Sequence, residues 1–479
     1  MPVTEPEAVM PQAVITDEMI ASMAAKAGSV LRIDHSVNNE LASRIAVTKF
    51  AGGIGDINPL WTDQDYARNS PYGAPVAPPS FIIGCFSGIQ FGWPCLGSFH
   101  SQSRMTFERP VYWGDVVNAT CVYEGFDGPS PSSFAGRTVT DRFLNTYTNQ
   151  RGEQIATISW QVMNFERGRA LARRPGQGTG GTNGGGAKPG PVLPHPWTED
   201  EVTEIEARVL AERPRGAEPR YWEDVRAGDA LDLVTKGPIG MTDEIAFVAG
   251  GGTPIPRLKA HAAALHDYRT HPAWAFRDPV TSAREPIYSV HYNLQAARAM
   301  SVPFQYDVGF QRQCRQIHQL THWAGDHAWI KEARAEYRKF VYHSDVVELR
   351  GTVTGTRIVG DGDHVADIRT EAVNQRGEVV MPGQAVLALP SRGSALSPAA
   401  RRARSPQTRD QQSGRQQSGR QQSGRQQTGR QQTGRQHDGA RGTGSARGVP
   451  QGSRRLAGRA LPPGRRDGRP AVRLGRGRR

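Results

Sequence analysis

Cysteine is scarce. The 479 residues hold four, Cys85, Cys95, Cys121 and Cys314, with no CxxC among them and no close pairing to histidine. That excludes a disulfide framework and a cysteine-built zinc site, and it fits a reducing cytoplasm, where the chain is expected to reside. Long apolar runs are missing too. The longest, SFIIGCFSGIQFGW (80–93), is glycine-interrupted and falls short of the roughly 20 residues that a membrane span needs. It reads as a buried helix near 80–92, and no membrane partner is expected. The start, MPVTEPEAVMPQAV, lacks the charged-then-apolar order of a signal segment. No Gly-rich dinucleotide turn joins a strand to a helix, and neither a P-loop nor a GxSxG elbow is present.

Lysine is absent from Ser391 onward, although that segment holds 22 arginines and three aspartates. Its net charge is therefore +19, which leaves −6 on the rest of a chain whose total is +13. The body is mildly acidic, and the basic character concerns solubility and loose association rather than the fold. Five QQ[ST]GR repeats fill 411–435. With almost no large apolar side chain, residues 391–479 are expected to be disordered. An RNA-binding tail is the functional alternative, but no aromatic residue interleaves the arginines to stack on bases, so nucleic acid is not an expected partner. Residues 167–217 form a linker that is Gly- and Pro-rich over 167–195 and carries one helix near 199–212, opened by a Thr198/Glu201 capping box.

The two blocks that remain, 20–166 and 218–390, repeat each other. VYWGDVV (111–117) returns as VYHSDVV (341–347), Trp93 as Trp323, and NQRGE (149–153) as NQRGE (374–378), at offsets of 230, 230 and 225. Each block reads as a short helix (44–54; 243–249), a loop, a longer apolar helix (80–92; 310–324) and then strands, such as 101–108, 115–124, 136–147 and 154–165 in the first. A long helix followed by antiparallel strands is buried only if the sheet wraps it. The last strand is expected near 378–389.

The segment AGGIGDINPLWTDQDYARNSPYGAPVAPPSF (51–81) resembles the MaoC-like dehydratases, a group that includes (R)-specific enoyl-CoA hydratases. The family motif G-D-x-N-P-L-H-x-D-x-x-x-A is matched by Gly55, Asp56, Asn58, Pro59, Leu60, Asp63 and Ala67, and RPVYWGDVV (109–117) matches a second family pattern. SVHYNLQAARAMSVPFQYDVGFQRQ (289–313) resembles it more weakly. The resemblance covers about 20–165 and 218–390. It implies an α+β double hot-dog: two antiparallel sheets, each wrapping a long central helix. It further implies an acyl-thioester hydratase/dehydratase interconverting trans-2-enoyl-CoA and 3-hydroxyacyl-CoA in fatty-acid or related acyl metabolism, acting on an acyl-CoA or acyl-carrier thioester. A homodimer or a partner MaoC-like subunit would accompany it, and neither cofactor nor metal is expected. The alternative is a catalytically silent acyl-binding subunit beside an active partner.

Hydration needs a base for the water proton, an acid for the carbon next to the carbonyl, and a donor for the developing enolate oxygen. The family supplies these from an Asp, a His five residues on, and a backbone N–H at the start of the long helix. Here Asp56 has Trp61 at the histidine position, and an indole N–H can only donate. The 230 offset carries Trp61 to His291, Pro79 to Gly309 and Asp56 to Pro286. The resemblance thus makes His291 the acid/base and Gly309 the oxyanion residue of the second block, with Glu285, Asp267 or Asp278 as possible carboxylate partners. Asp56 and Asn58 remain as the first block's half-site or as turn-formers. A pseudo-twofold axis would hold the half-sites apart, so no composite site is expected. His261, His266 and His271 have the wrong spacing for paired helix ligands and read as a surface helix capping an acyl tunnel.

Overall fold

The computed structural model describes residues 14–403 except 90–91, 94–96, 133–135, 167–189, 253–257, 301 and 361. The Gly-rich part of the linker and the QQ[ST]GR tail, with the expectations of flexibility and disorder placed on them, lie outside the described residues, as does Cys95; the other three cysteines are buried thiols.

Strands β1 (Gly97–Phe107), β2 (Asn118–Ser132), β3 (Gly136–Thr148) and β4 (Gln154–Phe165) belong to the first repeat. The short β5 (Val234–Lys236), the small hairpin β6 (Ala275–Arg277) and β7 (Arg284–Pro286), and strands β8 (Trp329–Glu336), β9 (Val347–Ile358), β10 (His364–Asn374) and β11 (Val379–Ala388) belong to the second. Nine of them form one antiparallel sheet in the order β2-β3-β4-β1-β8-β11-β10-β9-β5. Alternation along β3 (Val139, Asp141, Phe143, Asn145 and Tyr147 buried, their neighbours less so) turns one face to the core.

The repeats meet where β1 pairs with β8. Arg104 lies opposite Arg334, its own counterpart at the 230 offset, so a pseudo-twofold axis runs through that pair. The offset holds in detail. Tyr112 N–H donates to Asp115 at 2.8 Å and Tyr342 N–H to Asp345 at 2.9 Å. Asp63 and Asn293 each cap a short helix, and Val76 bridges Tyr112 as Tyr306 bridges Tyr342. Helices Arg44–Ile54 and Met241–Ala249 pack on one another, with Phe50 tilted against Phe247 at 6.5 Å. This is a double hot-dog.

The two central helices differ. In the second repeat Gly309–Ala324 is a 16-residue helix, nearly all of it buried. The helix expected at 80–92 is only a 3₁₀ turn, Pro79–Phe81, followed by Ile82–Cys85. Residues 86–89 leave the helix, and Gly88 adopts φ +144° with the Trp160 ring 2.6 Å from where a Cβ would stand. The helix has already ended at Phe86, which is extended, and the positive φ of Gly88 beside the Trp160 ring is tolerated by glycine alone. The linker helix Glu199–Leu210 has the expected capping box. The folded part also runs past Pro390: helix Pro398–Ala403 packs Ala399 and Ala403 into the core, and Arg401 and Arg402 pair with buried Asp363. The boundary expected at 391 therefore moves, because these apolar and paired side chains offset the entropy of ordering the segment.

Candidate functional site

The GDINPLW turn follows helix Arg44–Ile54, which ends on Gly55 in the left-handed region (φ 66°). Asp56 Oδ1 accepts from Asn58 N–H at 3.0 Å, and Asn58 Oδ1 accepts from Leu60 N–H at 3.0 Å. Two such turns in series pull the chain inward and start the 3₁₀ helix Pro59–Trp61. Trp61 is buried, and its Nε1 has no hydrogen-bond partner among the described residues.

Asp56 meets the second repeat. His322 Nε2 lies 3.0 Å from Asp56 Oδ1, and His322 Nδ1 lies 3.0 Å from Glu212 Oε1, just past the linker helix. Glu212 Oε1 also contacts His318 Nε2, and Lys236 Nζ reaches Glu212 Oε2 at 3.1 Å and the Gly55 carbonyl at 2.9 Å. Asp56, His318 and His322 are 6%, 1% and 2% exposed, so these charges act through little water. Burial opposes charge on His322, but Asp56 and Glu212 outweigh it and raise its pKa to about 9. Burial dominates at His318 and lowers it despite Asp56. Asp56 and Glu212 resist their own burial and are held below the usual carboxylate range by these two histidines. Beside them Asn58 Nδ2 donates to Asp326 at 3.4 Å and Tyr66 OH to Asp326 at 2.6 Å. A cavity of about 30 Å³ lined by Asn58, Trp61, Pro79 and Asp326 adjoins this cluster. It holds a water or two but no acyl chain.

The second repeat has a different site at the other end of the central helix. His291 closes the 3₁₀ turn Ile287–His291, as Trp61 closes its own, and Gly309 opens the central helix at the register of Pro79. His291 Nδ1 is 2.8 Å from the Tyr306 carbonyl. A carbonyl only accepts, so Nδ1 carries the proton and Nε2 keeps its lone pair. Burial lowers the His291 pKa to about 4, so the ring is neutral. None of the carboxylates expected beside it hydrogen-bonds to it among the described residues. Asp278 accepts from Asn293 at 2.9 Å, Asp267 pairs with Lys259 at 2.7 Å, and Glu285 lies on β7 opposite Phe276. The helix His261–Thr270 carries His261 and His266 on exposed positions, as the sequence suggests.

Two residues of this second site were not found in the sequence. His100 on β1 hydrogen-bonds the Gln102 carbonyl through Nε2 at 3.1 Å, and its Nδ1 lies 3.1 Å from where a Gly309 Cβ would be. Glu244 is 1% exposed with neither oxygen hydrogen-bonded among the described residues, and burial pushes its pKa well above the carboxylate range. It is an electrostatic neighbour of the Tyr288 phenol, whose ring is 4.8 Å from His291. His318 and His322 were also overlooked, although their i, i+4 spacing in HQLTH was visible. Glu212 carries no local signal.

Residues 32–158 match the family described as FAS1-like, dehydratase domain region. A UPF0336 protein of Streptomyces avermitilis is 28% identical over 122 residues, 24% of this chain and 77% of its own. One from Parafrankia sp. is 36% identical over 84 residues, 15% of this chain and 56% of its own. A solved structure described as a MaoC-like dehydratase superposes with a TM-score of 0.50 at 13% identity, over 77% of this chain and 100% of its own, a likeness of fold. No helix among the described residues is long and apolar enough to cross a membrane.

Proposed function

We propose that this chain, a MaoC-like hot-dog dehydratase by its fold and its first repeat, adds and removes water across the C2–C3 double bond of an acyl thioester carried by CoA or an acyl-carrier protein. The chemistry is assigned to the second repeat. His291 Nε2 takes a proton from water as its oxygen bonds to C3. The thioester oxygen gathers charge and is met by N–H groups at the start of helix Gly309–Ala324, which no side chain caps. The enolate then collects a proton at C2, for which Glu244, buried and protonated, is the candidate donor. Dehydration runs the same steps backwards. The observation that carries this reading is the bond from His291 to the Tyr306 carbonyl, three residues before Gly309, which fixes a neutral imidazole with its lone pair free.

The test is purified protein with crotonyl-CoA and a long-chain enoyl-CoA, followed at the enoyl absorbance. Hydration lost in His291→Ala and weakened in Glu244→Gln supports the assignment; hydration untouched by His291→Ala overturns it.

A second reading, an acyl-binding subunit without turnover of its own, is favoured by the direct Asp56–His322 contact, which occupies the Asp56 carboxylate of the first half-site, and by the lack, among the described residues, of a carboxylate hydrogen-bonded to His291. It predicts no hydration of either substrate by the chain alone and recovery with a co-expressed partner.

A further inference from the structure

The cluster at the C-terminal end of the central helix is built like a metal site. His318 and His322 project from one face of Gly309–Ala324, one turn apart, and Asp56 approaches from the first repeat. Each contributes one ligand atom, and the three atoms lie within 4.8 Å of one another, all buried. Glu212 faces the other side of both rings, at His318 Nε2 and His322 Nδ1. Glu212 hydrogen-bonds His318 Nε2, which leaves the His318 lone pair on Nδ1; Glu212 also lies 3.0 Å from His322 Nδ1, and an ion would replace the proton that His322 Nε2 shares with Asp56. His322 Nε2 is the atom already 3.0 Å from Asp56. His318 Nδ1 is buried with no hydrogen-bond partner among the described residues, and such an orphaned acceptor is costly unless something binds it.

We infer that Asp56, His318 and His322 bind a divalent transition ion of the zinc class, with Glu212 as the carboxylate that orients both imidazoles. Two imidazoles and one carboxylate are a borderline donor set suited to zinc. A carboxylate on the second nitrogen of each ligating histidine is the usual support for such a site. Lys236 is a charged group facing the cluster from β5; it is tied to Glu212 and the Gly55 carbonyl, and its charge also acts on His318 and Asp56. The ion would join the first repeat, the second repeat and the linker at one point. The site lies about ten residues along the central helix from Gly309, roughly 15 Å at the helical rise, and it is independent of the hydration chemistry proposed above.

The experiment uses the full-length protein, stripped with a chelator and titrated with zinc alone. Bound metal is read by mass spectrometry after dialysis, and unfolding is followed by heat. The expected result is about one tightly held zinc per chain with a raised Tm, a fall of about 10- to 100-fold in zinc affinity for Glu212→Gln, and loss of both binding and shift in His318→Ala. Stripped wild-type protein that keeps no zinc and shows no shift overturns the inference, as does His318→Ala that binds zinc as well as wild type. Should His318→Ala not fold, cobalt in the wild-type protein decides: visible bands of four-coordinate cobalt support the site, and their absence overturns it.

Discussion

Asp56 and His322 lie 266 residues apart in sequence and 3.0 Å apart in space, one from each repeat. Their pairing joins the turn of the first repeat to the central helix of the second.

Asp56→Asn keeps the turn, because an amide oxygen still accepts from Asn58 N–H, but it leaves His322 with one buried anion instead of two. The expected outcome is a loss of roughly 3 kcal/mol in urea unfolding, the size typical of a broken buried pair, with little change in turnover per folded molecule. A variant as stable as wild type would count against the pairing.

Stability should fall in alkaline solution. The folded His322 pKa is raised to about 9 from an ordinary 6.5. Its contribution is therefore complete below pH 6.5 and is lost as pH rises through 9. Asp56 and Glu212 act in the opposite sense: their folded values are lowered, so their share is present above the ordinary carboxylate range and is lost in acid. Thermal unfolding of chelated protein across this range should show the alkaline decline, and His322→Gln should flatten it.

His291→Ala should cost about 10²- to 10⁴-fold in hydration rate, as expected when one general base is removed. Trp61→His should not create a second site, because Pro79 lacks the N–H found at Gly309. Emptying the buried indole space should instead lower stability by about 3 kcal/mol. Paired rate and unfolding measurements on the two variants separate these effects.

Truncation after Ala403 should leave the unfolding temperature unchanged. Truncation after Pro390 should lower it by several degrees, since it removes the Asp363 partners Arg401 and Arg402 together with buried Ala399 and Ala403. Equal melting points for the two truncations would show that the 391–403 segment is dispensable.

The repeat was legible because it is local. The VYWGDVV and VYHSDVV segments, Trp93 and Trp323, and the two NQRGE runs each need only a few neighbouring residues, and their near-constant offset ordered them. The helix at 80–92 was misread because the chain becomes extended at Phe86 and then packs Gly88 against Trp160, a residue on another strand, and no local periodicity encodes that. The Asp56–His322–Glu212 cluster needs three segments brought together by the sheet, and no periodicity encodes that. His318 and His322 had a visible spacing, but their meaning depends on Asp56 arriving opposite them. Glu244 was hidden for the same reason: a glutamate in a helix reads as solvated until its burial is known.

Arg104 and Arg334 face one another across the centre of the sheet as copies of one position. In a dimer of identical chains every change is made twice, once on each side of the axis. Here both sides are written separately in one chain, so each can be edited alone. That independence lets one loop carry Trp61 and Pro79 while its twin keeps His291 and Gly309, and lets an aspartate of the first copy be recruited by histidines that exist only in the second.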